Sequence, residues 1–240
     1  MPVSGELIVV LVSTRNPLNI GAAARAMSNF GFTRLRVVNP YDVAFREARS
    51  AVGAAELLAS AKSFASVADA VADCHLVVGT TAGTNRELDH PIRTLPFGGG
   101  LIRKQLVSGN VALLFGSEKR GLSNDDLAHC HWLLQIPTRE AHPSMNLGQA
   151  VAVCLYELAR DPKIRVETAL TPRATAAELE RLTQVLLEAL DASGYIKPKT
   201  AAVTKEKLRR MVRRMKLAPA DAETLLGMLR KVAWKLKSQK

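Results

Sequence analysis

The chain has 240 residues, 48% of them hydrophobic, and a net charge of +11. That composition excludes a disordered chain and allows one sizeable core plus a small second domain. The apolar run Leu7–Val12 is too short to span a bilayer and is not framed by a basic region or a small-residue cleavage site, so a cytoplasmic protein without membrane contact is expected.

In chain order, short apolar runs alternate with helical patterns. The runs fall at Leu7–Val12, 35–38, 76–78, Val111–Phe115 and 133–136. Each is nearly continuous in Val, Leu and Ile, which predicts parallel strands buried on both faces. After the first run, Asn19 is a candidate N-cap for a helix with Ile20, Ala23, Ala24, Met27 and Phe30 on one stripe, closed by Gly31. Residues 83–100, rich in Gly and Pro, read as a long loop able to close over a substrate. Residues 144–160 predict another helix, with Leu147, Val151, Cys154, Leu155 and Leu158 on its apolar face. The alternation points to a doubly wound α/β domain over 1–160.

Pro162, Pro172 and mixed polar residues mark 161–173 as a linker. Beyond it, over 174–240, the period is helical throughout. Leu179, Leu182, Leu186 and Leu190 share one face, as do Leu225, Leu229, Val232 and Leu236, with a basic helix around 205–216 between them. The charge is concentrated here. From position 195 on, 14 Lys/Arg stand against 3 Asp/Glu, which leaves 19 of each sign in residues 1–194. A neutral body with a cationic appendage fits a polyanionic partner, most simply nucleic acid.

Three cysteines, widely spaced and odd in number, argue against a disulfide framework. The triplet His129-Cys130-His131 invites a metal reading. Adjacent side chains diverge and no second pair lies at ligand spacing, so packing is the better account and no metal is expected.

Three segments place polar residues and glycines directly after buried strands, where open α/β sheets bind ligands. The first runs Asn16-Pro17-Leu18-Asn19-Ile20-Gly21 and on to Arg25. The second is Gly116-Ser117-Glu118-Lys119-Arg120-Gly121. The third joins Ile136-Pro137 to Pro143-Ser144-Met145-Asn146-Leu147-Gly148. Neither G-x-x-x-x-G-K-[ST] nor G-x-G-x-x-G is present, which disfavours phosphate-loop and nicotinamide chemistry. Singly, each segment is an ordinary capped helix or strand-to-helix turn.

In this order the three segments resemble the signature motifs of the SpoU/TrmH family of SPOUT RNA 2′-O-methyltransferases. The tail, including Ala192-Ser193-Gly194-Tyr195-Ile196 and Lys207-Leu208-Arg209-Arg210, is similar to the extension of TrmJ-type tRNA methyltransferases. The resemblance implies a parallel sheet with a trefoil knot, flanked by helices, and a small C-terminal helical domain. It implies S-adenosylmethionine as cofactor, held by Thr80, Thr81, Ala82, Gly116, Ile136, Ser144, Met145, Asn146, Leu147 and Gly148. It implies Arg25, Asn19, Glu118, Ser144 and Asn146 as the catalytic set. Arg25 would grip an RNA phosphate, because a guanidinium stays protonated and is a poor base. Asn19 would orient Arg25 or the RNA, Glu118 would hold the second segment's turn, and Ser144 would position the ribose. It further implies a homodimer, with tRNA held by the basic tail and by Arg86 and Arg93. The implied reaction is methylation of cytidine or uridine 32 in the anticodon loop, with ribosomal RNA as the alternative substrate and an RNA-binding module without catalysis as the alternative class.

Overall fold

In a computed structural model, residues 5–41, 53–83, 90–160 and 172–238 are described. Seven strands form one parallel sheet: β1 (Leu7–Val12), β2 (Arg34–Val38), β3 (Lys62–Phe64), β4 (Leu76–Thr81), β5 (Ile92–Thr94), β6 (Val111–Phe115) and β7 (Trp132–Gln135). Their order across the sheet is β3-β2-β1-β6-β4-β7-β5. The body helices are α1 (Pro17–Asn29), α2 (Ala55–Ser60), α3 (Val67–Ala70), α4 (Leu95–Leu106), α5 (Asn124–Ala128) and α6 (Leu147–Ala159).

The centre of the sheet is buried on both sides, where β1 and β6 are apolar at every position. Side chains alternate across a strand, so β1 feeds two cores. Leu7, Val9 and Leu11 pack with Ile20, Met27, Leu58, Ile102 and Val151 under α1, α2, α4 and α6. Ile8, Val10 and Val12 pack with Val67, Ala70 and Leu127 under α3 and α5. Each fully buried Val or Leu contributes about 1.5–3 kcal/mol of transfer free energy.

Three local expectations are corrected. The cap of α1 is Asn16, whose side chain accepts from Leu18 N–H at 3.0 Å, while Asn19 lies buried inside the first turn. Pro17 explains the shift, because proline suits the first helical position. Likewise α6 starts at Leu147, capped by Asn146, which accepts from the N–H groups of Gly148 and Gln149. Ser144 lies ahead of that helix. Finally, the stretch read as a loop over 83–100 holds β5 and the start of α4. Pro96 stands in the helix's first turn, where it is tolerated, and Gly98 is there for closeness. A Cβ on Gly98 would come within 2.5 Å of Leu134 Cδ1 on β7. Residues 84–89 of the stretch, and with them Arg86, lie outside the described residues. Arg93 stacks over Phe97 and Trp132, 5.4 and 5.7 Å from the ring centroids.

The expected linker lies largely outside the described residues. After it come α7 (Ala176–Ala192), α8 (Ala201–Arg214) and α9 (Pro219–Lys237). They bury their own cluster of Leu179, Leu182, Val212 and Ala222. This group is fastened to the body. Ala176 and Ala177 donate backbone hydrogen bonds to Cys74 and Ala72 carbonyls, and Glu180 binds both Arg209 and the buried Arg213. Arg209 also reaches Asp125 on α5 at 3.5 Å.

The His129-Cys130-His131 triplet is packed beside that seam. All three residues are buried, and His131 Nδ1 accepts from Val77 N–H at 3.0 Å. Burial, then the charges of Arg209 and Arg213, pull His129 down to about 3. The imidazole is therefore neutral, and its 3.6 Å approach to Glu180 is not an ion pair. Burial pushes the Cys74 and Cys154 thiols up to about 12 and raises Cys130 as well, so all three stay protonated and inert. No described helix is long and apolar enough to cross a membrane.

Candidate active site

The carboxyl-end edge of β1, β4, β6 and β7 carries every segment singled out in the sequence. Parallel strands release their following loops on the same edge, so residues distant in sequence meet there.

The second segment folds as a closed turn. Gly121 N–H donates to Ser117 O at 2.8 Å, and Gly121 sits at φ +66. Gly116 lies so close to the Gly121 backbone that any Cβ would collide with it. Both glycines are therefore structural requirements of the turn. The turn aims Glu118 at the first segment. Glu118 Oε1 accepts from Asn16 N–H at 3.1 Å and from Asn19 Nδ2 at 3.2 Å, and Oε2 accepts from Arg15 N–H at 3.4 Å. Asn146 Nδ2 in turn donates to Asn19 Oδ1 at 2.8 Å. A single chain, Asn146–Asn19–Glu118, thus ties the three segments together. Partial burial pushes the Glu118 carboxyl up, but the hydrogen bonds from its own backbone, Asn19, Asn16 and Arg15 outweigh that and hold it below its ordinary value. It is ionised at neutral pH, as an acceptor of these donors must be.

Packing reinforces the junction. Helices α1 and α6 lie against each other, and a Cβ on Gly148 would come within 2.5 Å of Ala22 Cβ. Gly148 is therefore a close-approach glycine of α6.

Beside the network lies a cavity of about 460 Å³, within the size range of small-molecule sites. Of the residues that the family resemblance implies for the cofactor, Thr80, Thr81, Ala82, Gly116, Ile136, Ser144, Met145 and Leu147 line it. Thr80 Oγ1 donates to Leu114 O at 2.9 Å, and Gln135 Nε2 donates to Ala82 O at 3.1 Å, which fixes the end of β4 against its neighbours. Asn146 and Gly148 do not line the cavity; they serve the cap and the helix contact. Arg25 does not line it either. It sits on the exposed side of α1, about 9 Å along the axis from Asn19 at 1.5 Å per residue, with its guanidinium against Gly53.

Sequence reasoning missed several walls. Leu122, Leu127, Leu134 and Ala150 supply apolar surface, while Lys119 and Arg120 bring positive charge to the rim. The two cations stood between the flanking glycines of the second segment and could have been read as rim residues. The leucines could not, since buried leucines are common to every core. Among the described residues no histidine lines the cavity, so the side chain whose ordinary pKa lies nearest neutrality is not among its walls.

Comparison with known proteins agrees with this arrangement. Residues 6–156 match the SpoU rRNA Methylase family. A curated relative from Sodalis glossinidius, tRNA (cytidine/uridine-2′-O-)-methyltransferase TrmJ, is 34% identical over 229 residues, covering 92% of this chain and 89% of the relative. The protein of the same name from Klebsiella pneumoniae is 35% identical over 234 residues, covering 92% and 93%. A crystal structure of TrmJ from Z. mobilis ZM4 superposes with a TM-score of 0.82 at 34% identity, covering 94% of this chain and 98% of that one. The junction of three strand-following segments beside one cavity, and a match spanning more than half of the sequence, place this chain in the SpoU methylase family.

Proposed function

We propose that this chain transfers a methyl group from S-adenosylmethionine to a ribose 2′-hydroxyl of tRNA, at cytidine or uridine 32 of the anticodon loop. The observation that carries the reading is the Asn146–Asn19–Glu118 chain, which holds the three motif segments against the cavity. The naming of the curated relatives supports the substrate.

The cavity suits the cofactor. Leu122, Leu134, Leu147 and Ile136 offer apolar walls for a flat base, backbone groups around Ala82 and Gly116 offer polar partners, and no phosphate loop is required. When bound, S-adenosylmethionine supplies an electrophilic methyl group. The protein's task is then to align a ribose oxygen and let its proton leave. Ser144, exposed at the cavity wall, is placed to hold the ribose. Arg25 binds an RNA phosphate through its guanidinium, polarising the neighbouring hydroxyl. Because Arg25 stands outside this chain's own cavity, we assign it to the cavity of a second subunit in a homodimer. Exposed Leu18 on α1 and Val153 and Tyr156 on α6 furnish the apolar contact for that pairing. A trefoil knot in the C-terminal part of the body, a division into 1–160 and 174–240, and work in the cytoplasm belong to the same proposal.

The helical region grips tRNA through exposed Lys205, Lys207, Arg214, Lys231 and Lys235. The test is nucleoside mass spectrometry of tRNA and of ribosomal RNA, each incubated with the protein and labelled cofactor, with the methylated nucleotide mapped. Label in a 2′-O-methylpyrimidine at position 32 is expected. Label in ribosomal RNA alone, at another tRNA position, or in neither RNA would overturn the assignment.

A further inference from the structure

A second cavity, of about 290 Å³, opens at the ends of β1 and β2, lined among the described residues by Ser13, Arg15, Asn39, Pro40 and Tyr41. Its backbone is unusual. Ser13 at φ 52 and Asn39 at φ 48 are both left-handed without being glycine, so both strands turn sharply at the same level. The kinks are anchored: Ser13 N–H donates to Val38 O at 2.9 Å and Asn39 N–H donates to Phe64 O at 3.1 Å. Left-handed non-glycine residues concentrate at ligand sites, where the surrounding fold holds them in place. Both kinked residues line the opening.

The lining is chemically specific. Tyr41 is 55% exposed and presents an aromatic face, Asn39 an amide with donors and acceptor, Arg15 a guanidinium, and Ser13 a hydroxyl. An aromatic face stacks on a base, an amide reads a base edge, and a guanidinium pairs with a phosphate. The opening, about 290 Å³, has room for a single base and its sugar. The position is equally specific. The backbone N–H groups of Arg15 and Asn16 are bound by Glu118, which also lines the larger cavity. The two cavities therefore share the carboxyl-end edge of the sheet, where one strand of RNA can cross both.

We propose that this cavity is a subsite for a nucleotide flanking the methylated one, with its base stacked on Tyr41 and its phosphate on Arg15. The proposal rests on the RNA methylation reading and adds to it where the substrate strand runs and which residues bind it away from the reacting ribose.

The test uses the full chain, an unmodified tRNA transcript and free S-adenosylmethionine. Tyr41→Ala should raise KM for tRNA about tenfold, the ~1.4 kcal/mol of one stacked base, while kcat stays within about twofold. Cofactor affinity by calorimetry should not change. Tyr41→Phe, which keeps the ring, should recover most of the lost affinity. Arg15→Gln should flatten the salt dependence of tRNA binding by roughly one phosphate's worth of slope. An unchanged KM in Tyr41→Ala, equal losses in Tyr41→Ala and Tyr41→Phe, or a matching loss of cofactor affinity would overturn the subsite. Failure of the methylation reading shows separately, as absence of methyl transfer by the unsubstituted protein. In that case tRNA binding by fluorescence anisotropy still judges the subsite through the same variants.

Discussion

Asn19→Asp tests the junction of the three motifs with a change of one atom in shape and one unit in charge. Asn19 Nδ2 now donates to Glu118 Oε1 at 3.2 Å. The substitution replaces that donor with a second carboxylate oxygen. At this separation two unit charges repel by about 5 kcal/mol at an effective dielectric of about 20 and by about 1.3 kcal/mol in bulk water. Glu118 is exposed, so solvent screening keeps the cost near the lower end. The bond from Asn146 at 2.8 Å survives and becomes charge-assisted, which returns part of the loss. The lost Asn19–Glu118 hydrogen bond adds about 1 kcal/mol, so the net expectation is about 2 kcal/mol, or about 4–8 °C in melting temperature for a chain of this size. The sign with pH follows from linkage. Mutual repulsion raises the folded-state pKa of the carboxyl pair above its unfolded value, so the stability is intact below the unfolded pKa and is lost as pH rises through the folded one. Thermal unfolding should show a small defect near pH 4 and the full defect at pH 8, and Glu118→Gln should rescue the variant in a double-mutant cycle. An equal defect at both pH values, or no rescue, would refute the claim that Asn19 and Glu118 form the junction.

Two further expectations follow from packing and burial. Gly148→Ala should cost about 1–3 kcal/mol, because the added methyl would stand 2.5 Å from Ala22 Cβ; Ala22→Gly in the same chain should restore the melting temperature. Acid should weaken the fold before carboxylates titrate. His129 and His131 are held neutral down to about 3 by burial, whereas unfolded histidine takes up a proton near 6.5. Their depressed pKa values mean that stability is full above 6.5 and falls as pH drops, by about 1.4 kcal/mol for each histidine at pH 5.5. Urea unfolding at pH 7.5 and 5.5 measures the difference, and a flat profile would contradict the buried neutral state.

Much of this protein was legible from the order of its residues. The strands β1 and β6 match their apolar runs end to end, because a strand buried on both faces must be apolar at every position. The glycines and polar residues trailing those strands were expected to gather for a similar reason: parallel strands all deliver their loops to one edge. Other features needed the fold. Helix α4 was hidden because Pro96 and Gly98-Gly99-Gly100 carry the local signature of a loop, and only the closeness of Leu134 explains a glycine there. The exchange of roles between Asn16 and Asn19 was equally hidden, since either asparagine can cap and only the reach of Glu118 and Asn146 gives Asn19 other work. Local sequence dictates the conformations a segment prefers, because propensity and periodicity act over a few residues. Which of those segments touch across 127 positions, as Asn19 and Asn146 do, is decided by strand order and helix packing, and these depend on the summed burial of the whole chain.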